Sequence, residues 1–367
     1  MNAVREKIFP AAGKSYAGFL GGAWDTVCGG LGIAGGSAAG GGQQLATLLS
    51  PWGARPVGTR CEYPSKVSRD GFPAELSVNW SRAGVEVRLL FEALGDRPGA
   101  AANQDAGTAL LYRLEADRGA HLGWFHKISD LYLGGDPDTA AGQRCMWHSV
   151  AYPESGLGTC KVYLDAGARG GPEDELMTET ASRLGFSSAW RSLTGVRDTI
   201  TPRPEIAYLA LDLVDDPAAR VKVYFRHRHT TLRQLDRLAA AATTHRGDLA
   251  RGAYAYLMPQ DAVVDNEPLT CIAFLPDRDR PEQATTYLRS PGSFPDEHAA
   301  SSAVAALMRH CGLDPSGYLH MITALAPGRL DELTGLQELV SCRVKGAAAD
   351  ITVYLRFGVY PHQVNAF

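Results

Sequence analysis

The clearest pattern of polar and apolar positions along the chain is Arg220-Val-Lys222-Val-Tyr224. On a β-strand, Arg220, Lys222 and Tyr224 share one face, and Val221, Val223 and Phe225 share the other. A related run is Lys161-Val-Tyr163, and fainter ones are Thr285-Thr-Tyr287 and Tyr354-Leu-Arg356. These runs fall within five pairs of strand-like segments: 75–81 with 85–92, 144–152 with 159–165, 206–214 with 220–227, 269–275 with 284–289, and 338–344 with 350–358. Each is rich in Val, Ile, Leu, Tyr or Phe and bounded by turn residues. Between the pairs, 104–116, 173–184, 231–243 and 297–310 carry apolar residues at helical spacing. Thr230 and Thr231 mark a helix start.

Comparable points on the second strands, Arg88, Lys161, Lys222, Tyr287 and Tyr354, recur every 61 to 73 residues. This is a degenerate repeat, helices and then a hairpin, five times over. Ten antiparallel strands closing on themselves would leave no free edge. With cations and phenols inward and apolar side chains toward outer helices, the expected fold is an α/β barrel around a solvent-filled chamber. No linker divides the chain, so residues 1–367 are expected to form one domain. The same alternation would describe a sheet with one solvated face. The tyrosines recurring at one place in successive hairpins favour an interior site.

Composition narrows the function. A net charge of -4 argues against a general nucleic-acid binder. A 45% hydrophobic fraction, a mean hydropathy of -0.14 and no apolar run of about 18 residues predict a soluble protein outside the membrane. The start of the chain has no signal-peptide pattern, which predicts a cytoplasmic location. The seven scattered cysteines, without a CxxC, read as reduced structural thiols, with neither disulfides nor a zinc site.

Gly30-Leu-Gly32-Ile-Ala-Gly35 matches GxGxxG, but the residues before it read as helix where a dinucleotide fingerprint needs a strand. A flexible loop is expected there. Asp212-Leu-Val-Asp215-Asp216 could suggest a metal cluster, and its Asp-Asp-Pro ending reads better as a turn. Without a metal, a diphosphate would need Lys and Arg to neutralise it. Glu75 could accept a hydrogen bond from an indole N–H, act as a base, or be an exposed strand-end carboxylate. His148 could relay a proton or be structural. His227 and His229 are expected to be solvated at a strand end.

Taken in order, Glu75-Leu-Ser-Val-Asn79, Val87-Arg88-Leu-Leu-Phe-Glu92, Lys161-Val-Tyr163, Arg220-Val-Lys222-Val-Tyr224, Tyr287 and Tyr354 resemble the aromatic prenyltransferases of the dimethylallyltryptophan synthase type, in particular the bacterial indole prenyltransferases. The resemblance implies the α-β-β-α prenyltransferase barrel, called the ABBA fold. It implies transfer of a dimethylallyl group from dimethylallyl diphosphate to the indole of tryptophan or a tryptophan-derived metabolite, in secondary metabolism. No cofactor is implied, magnesium is not required, and the chain would act as a monomer or homodimer.

Carried over by position, Arg88, Lys161, Arg220 and Lys222 would hold the diphosphate. Tyr163, Tyr224, Tyr287 and Tyr354 would shield the dimethylallyl cation, and Glu75 would bind the indole N–H. His148 stands thirteen residues before Lys161, where relatives can carry a basic lysine, and would be a catalytic proton acceptor. Thr285 replaces a glutamine common in the family. A phenolic, naphthol or phenazine acceptor, or a non-catalytic barrel holding an isoprenoid diphosphate, remain alternatives on this reading.

Overall fold

The computed structural model describes residues 5–6, 9–11, 13–33, 41–60, 62–133, 146–154, 158–169, 172–259, 262–326, 328–345 and 348–360. Its strands, in chain order, are β1 (Ala74–Ser81), β2 (Gly84–Glu92), β3 (Met146–Pro153), β4 (Cys160–Asp165), β5 (Glu205–Asp212), β6 (Val221–Arg226), β7 (Leu269–Phe274), β8 (Gln283–Arg289), β9 (Gln337–Lys345) and β10 (Ala348–Leu355). They form one closed barrel in which every strand pairs antiparallel with its sequence neighbours. Closure comes from β10 against β1, with Tyr354 opposite Ser77 and Thr352 opposite Asn79. The five hairpins are those expected from the sequence. Residues 144 and 145, the first two expected of the second pair, and 155–157, between its two expected strands, lie outside the described residues.

Two helices precede each hairpin. They are α1 (Tyr16–Leu31) and α2 (Gly41–Leu48), α3 (Ala100–Arg118) and α4 (Gly123–Leu133), α5 (Glu173–Arg183) and α6 (Ser187–Arg197), α7 (Leu232–Ala239) and α8 (Gly247–Tyr254), and α9 (Glu297–His310) and α10 (Ser316–Leu325). The expected start before Leu232 is a full capping box: Thr231 and Gln234 satisfy each other's backbone N–H groups.

Alternation sorts every strand into two faces. On β6, Val221, Val223 and Phe225 point outward and are fully buried beneath the helices, as are Leu209 and Leu211 on β5 and Ile351 and Val353 on β10. Aromatic side chains lock helices to strands, among them Trp190 stacked on Phe225 and Trp80 edge-on to Tyr318. The main core is therefore a shell between barrel and helices. Burying each such side chain contributes roughly 1.5–3 kcal/mol, which lets the barrel interior stay polar.

The glycine-rich motif belongs to this shell. Gly30 is helical and Gly32 caps α1 in the left-handed region (φ 72°). A Cβ on Gly30 would lie 2.6 Å from the Met321 Cα, so glycine lets α1 and α10 cross closely. The expected loop starts only after Gly32, and Gly35 lies outside the described residues. Gly30→Val should therefore lower unfolding free energy in urea by about 1–3 kcal/mol through overpacking. Gly22→Ala on the same helix, where a Cβ meets nothing within 4 Å, should be neutral or slightly stabilising.

Candidate active site

The inward faces divide the chamber into two halves. The half of about 590 Å³ is cationic. Arg88 of β2, Lys161 of β4, Arg220 just before β6, Lys222 of β6 and Arg343 of β9 all line it. Three carboxylates pair with them, while Asp216 and Arg82 also line this half. Asp212 accepts from Lys222 Nζ at 2.8 Å and Arg220 Nε at 3.0 Å, with Lys161 Nζ at 4.0 Å. Glu86 pairs with Arg88, and Asp350 with Arg343. Gln283 of β8 accepts from Arg220 at 3.2 Å and from Arg343 at 3.5 Å. The cations outnumber the carboxylates, so this half suits a polyanion.

Electrostatics here are strained by crowding. Lys222, then burial, hold the Lys161 ammonium well below the ordinary lysine range, with Asp212 opposing them. Burial would raise the Asp212 carboxyl, but Lys222, Lys161 and Arg220 outweigh it and hold it low.

A layer of tyrosines separates the halves. Tyr163, Tyr208, Tyr224, Tyr287 and Tyr354 come from β4, β5, β6, β8 and β10. Ring centroids run 6.0 Å from Tyr163 to Tyr224, 4.4 Å from Tyr224 to Tyr208, 5.7 Å from Tyr224 to Tyr287, and 5.7 Å from Tyr287 to Tyr354. Burial raises all five phenols, so they stay neutral and present π faces rather than charges. Neutral rings of this kind stabilise a cation placed against them.

Beyond the tyrosines lies a second half of about 430 Å³, lined by Glu75, Leu90, Trp147, Arg226, Arg289 and Glu338 among others. Its charges are largely paired: Glu338 takes Arg289 at 2.6 Å and Arg69 at 3.1 Å, and Lys66 meets Asp165 at 2.8 Å. Glu75 is the buried carboxyl on β1. Burial, then Glu338, push it well above the usual carboxylate range, against Arg289. Trp147 stands edge-on to Tyr208 at 5.2 Å. This half offers an aromatic slot with a hydrogen-bonding carboxyl at its wall.

Nine of the ten residues singled out from the sequence thus face one chamber. The tenth, His148, does not. Ser149 is the partner of Lys161 and Trp147 of Tyr163, so pleating turns His148 outward with Val162. It is fully buried against Gly107 of α3 and Phe91, and burial pushes it down to about 3. A proton-acceptor role for His148 is therefore corrected: it is a neutral core side chain. His227 is likewise buried, 2.9 Å from the Thr270 hydroxyl, whereas His229 is exposed as expected. Asp212 is not in the turn that Asp215 and Asp216 begin; it ends β5 and faces the cations. Sequence reading missed Tyr208, Trp147, Gln283 and Arg343. Their signal was parity: each shares a face with a residue already identified, by cross-strand register.

A family model described as tryptophan dimethylallyltransferase matches residues 44–241, more than half the chain. The chain belongs to the tryptophan dimethylallyltransferase family. A solved 6-dimethylallyl tryptophan synthase is 30% identical, with a TM-score of 0.84 over 95% of this chain and 98% of that one. The 6-dimethylallyltryptophan synthase of Micromonospora olivasterospora, solved in complex with DMASPP and Trp, is 29% identical, with a TM-score of 0.84 over 95% of this chain and 100% of that one. The 5-dimethylallyl tryptophan synthase of Streptomyces coelicolor is 23% identical and shares the fold, with a TM-score of 0.83 over 97% and 99% of the two chains. The fold of this tryptophan dimethylallyltransferase family member is the α-β-β-α prenyltransferase barrel, as the sequence resemblance implied.

The depressed Lys161 has a measurable consequence. In the empty chamber it loses its proton as pH rises through its lowered pKa, whereas a bound polyanion favours the charged form. Titration calorimetry with inorganic diphosphate, in buffers of different ionisation enthalpy, should show net proton uptake. Affinity should fall as pH rises above the lowered pKa. Lys161→Met should remove most of that uptake.

Proposed function

We propose that the chain transfers a dimethylallyl group from dimethylallyl diphosphate to the indole of free tryptophan. The observation that carries this reading is the two-ended chamber, with an excess of cations at one end, a carboxyl-bearing aromatic slot at the other and a neutral tyrosine layer between. It is supported by family membership and by the relative from M. olivasterospora, which was solved with DMASPP and Trp. The two relatives near 30% identity are 6-dimethylallyltryptophan synthases, so C6 of the indole is the first position to examine in the product.

Arg88, Lys161, Arg220, Lys222 and Arg343 take the diphosphate. The allylic C–O bond breaks and its electron pair leaves with the diphosphate oxygen. Tyr163, Tyr208, Tyr224, Tyr287 and Tyr354 surround the allyl cation and keep out water, which would otherwise trap it as an alcohol. An indole carbon supplies the new C–C bond, and loss of its proton restores aromaticity. Glu75 holds the indole N–H. With His148 turned outward, it is also the remaining proton acceptor of the original pair.

The five cations stand where magnesium would otherwise neutralise the diphosphate, so turnover needs no metal or other cofactor. The whole chain acts as one catalytic domain. Cys28, Cys160, Cys271, Cys311 and Cys342 are thiols rather than disulfides, which suits the reducing cytoplasm. No described helix is long and apolar enough to cross a membrane.

Incubation with dimethylallyl diphosphate, tryptophan and excess EDTA should yield dimethylallyltryptophan at the rate seen without chelator. Diphosphate release with no prenylated indole would overturn the reading. Glu75→Gln should lower kcat/KM by about 100-fold or more. Because the Glu75 pKa is raised, wild-type kcat/KM should climb with pH to well above the ordinary carboxylate range, and that limb should vanish in Glu75→Gln. His148→Leu should keep kcat within about threefold of wild type, because it changes a buried apolar contact rather than the chamber.

A further inference from the structure

The cationic half presents a problem that the reaction does not explain. A closed site with five cations should hold the diphosphate product tightly, and binding that is equally strong for substrate and product does not help turnover. Yet the three central cations are already engaged. Asp212 is the last residue of β5, directly across from Lys161 in register, and its side chain is buried. One carboxylate oxygen takes the Lys222 ammonium at 2.8 Å, with Lys161 at 4.0 Å, and the other takes Arg220 Nε at 3.0 Å. Those are the donors a diphosphate in this half needs.

We propose that Asp212 is a tethered counter-ion that competes with diphosphate for Lys161, Arg220 and Lys222, and that its return to them speeds product release. This rests on the prenyl-transfer reading above. Being part of a barrel strand, Asp212 cannot diffuse away, so it acts as a competitor at high effective concentration. It offsets the repulsion between Lys222 and Lys161, yet adds a like charge beside any bound diphosphate. Glu86 on Arg88 and Asp350 on Arg343 have the same relation to single cations. Asp212 differs in engaging three at once. It is a positioning residue, acting on the donors rather than on the reacting carbon.

A purely organising role and a competing role predict opposite signs. If Asp212 only arranges the cations, removing its charge weakens diphosphate binding. If it competes, removal tightens binding.

The test is calorimetry of the full-length protein with inorganic diphosphate, together with steady-state kinetics. Asp212→Asn should lower the diphosphate Kd about tenfold or more, and the product-inhibition constant in step. It should reduce the KM for dimethylallyl diphosphate, with kcat reduced where release limits turnover. Asp212→Glu, which keeps the charge, should return the Kd to within about threefold of wild type. Should Asp212→Asn not fold, Asp212→Ser provides the same comparison. Wild-type or weaker diphosphate binding by the neutral variant would overturn the proposal alone. Failure of the wild-type protein to bind diphosphate would overturn the prenyl-transfer reading and this inference with it.

Discussion

Like charges confined together inside a closed barrel repel one another, and much of the architecture serves to bear that repulsion. Lys161 on β4 and Arg220 and Lys222 at β6 converge from the two strands that flank β5, and the crowding is strong enough to depress Lys161. Such a cluster cannot lie in an ordinary sheet core, where each unpaired buried charge would cost several kcal/mol. Here the sheet is turned inside out. The apolar face of every hairpin is covered by helices, so hydrophobic burial occurs outside the barrel and the interior is free to hold charge. Closure of β10 on β1 completes the wall, and no described barrel strand is left with a free edge.

The tyrosine layer follows from the same constraint. Residues two apart on a strand lie about 6–7 Å along the axis and on the same face. A Lys-x-Tyr strand therefore carries its charge into one half of the chamber and its ring into the middle. Lys161 with Tyr163, and Lys222 with Tyr224, do this on β4 and β6. Repetition around the barrel turns a local spacing into a row of phenols running from β4 to β10. Their raised pKa values matter because an ionised phenolate beside an allyl cation would be a nucleophile rather than a shield.

This logic also explains what could be seen in the sequence. Strand pairs, helix positions and the Lys-x-Tyr faces are local patterns, and the structure places them nearly residue for residue. Arg343 and Tyr208 were hidden because 338–344 and 206–214 read simply as apolar strands; only the register to Tyr287 and Tyr224 shows which of their residues turn inward. His148 failed for the same reason in reverse. Counting back thirteen residues from Lys161 crosses a turn, and the count fixes no face, whereas the Ser149–Lys161 pair does. Asp212 looked like part of an Asp-rich turn because nothing near it in sequence announces three cations arriving from β4 and the start of β6. What is missing from the chain as text is pairing across the barrel, not composition or spacing.

The two ends of the chamber also differ in how their charges are settled. At the indole end, Glu338 is matched by Arg289 and Arg69, and Asp165 by Lys66. These pairs produce little field at a distance. At the other end the cations exceed the carboxylates, so the unbalanced charge lies on one side of the tyrosine layer. The resulting field points along the chamber axis. It favours movement of an electron pair toward the cations and leaves positive charge among the rings, which is the direction in which an allylic diphosphate ionises. Balancing the indole end therefore has a purpose beyond stability. An excess of cations there as well would cancel the field at the tyrosines and oppose the positive charge that must develop between the two halves.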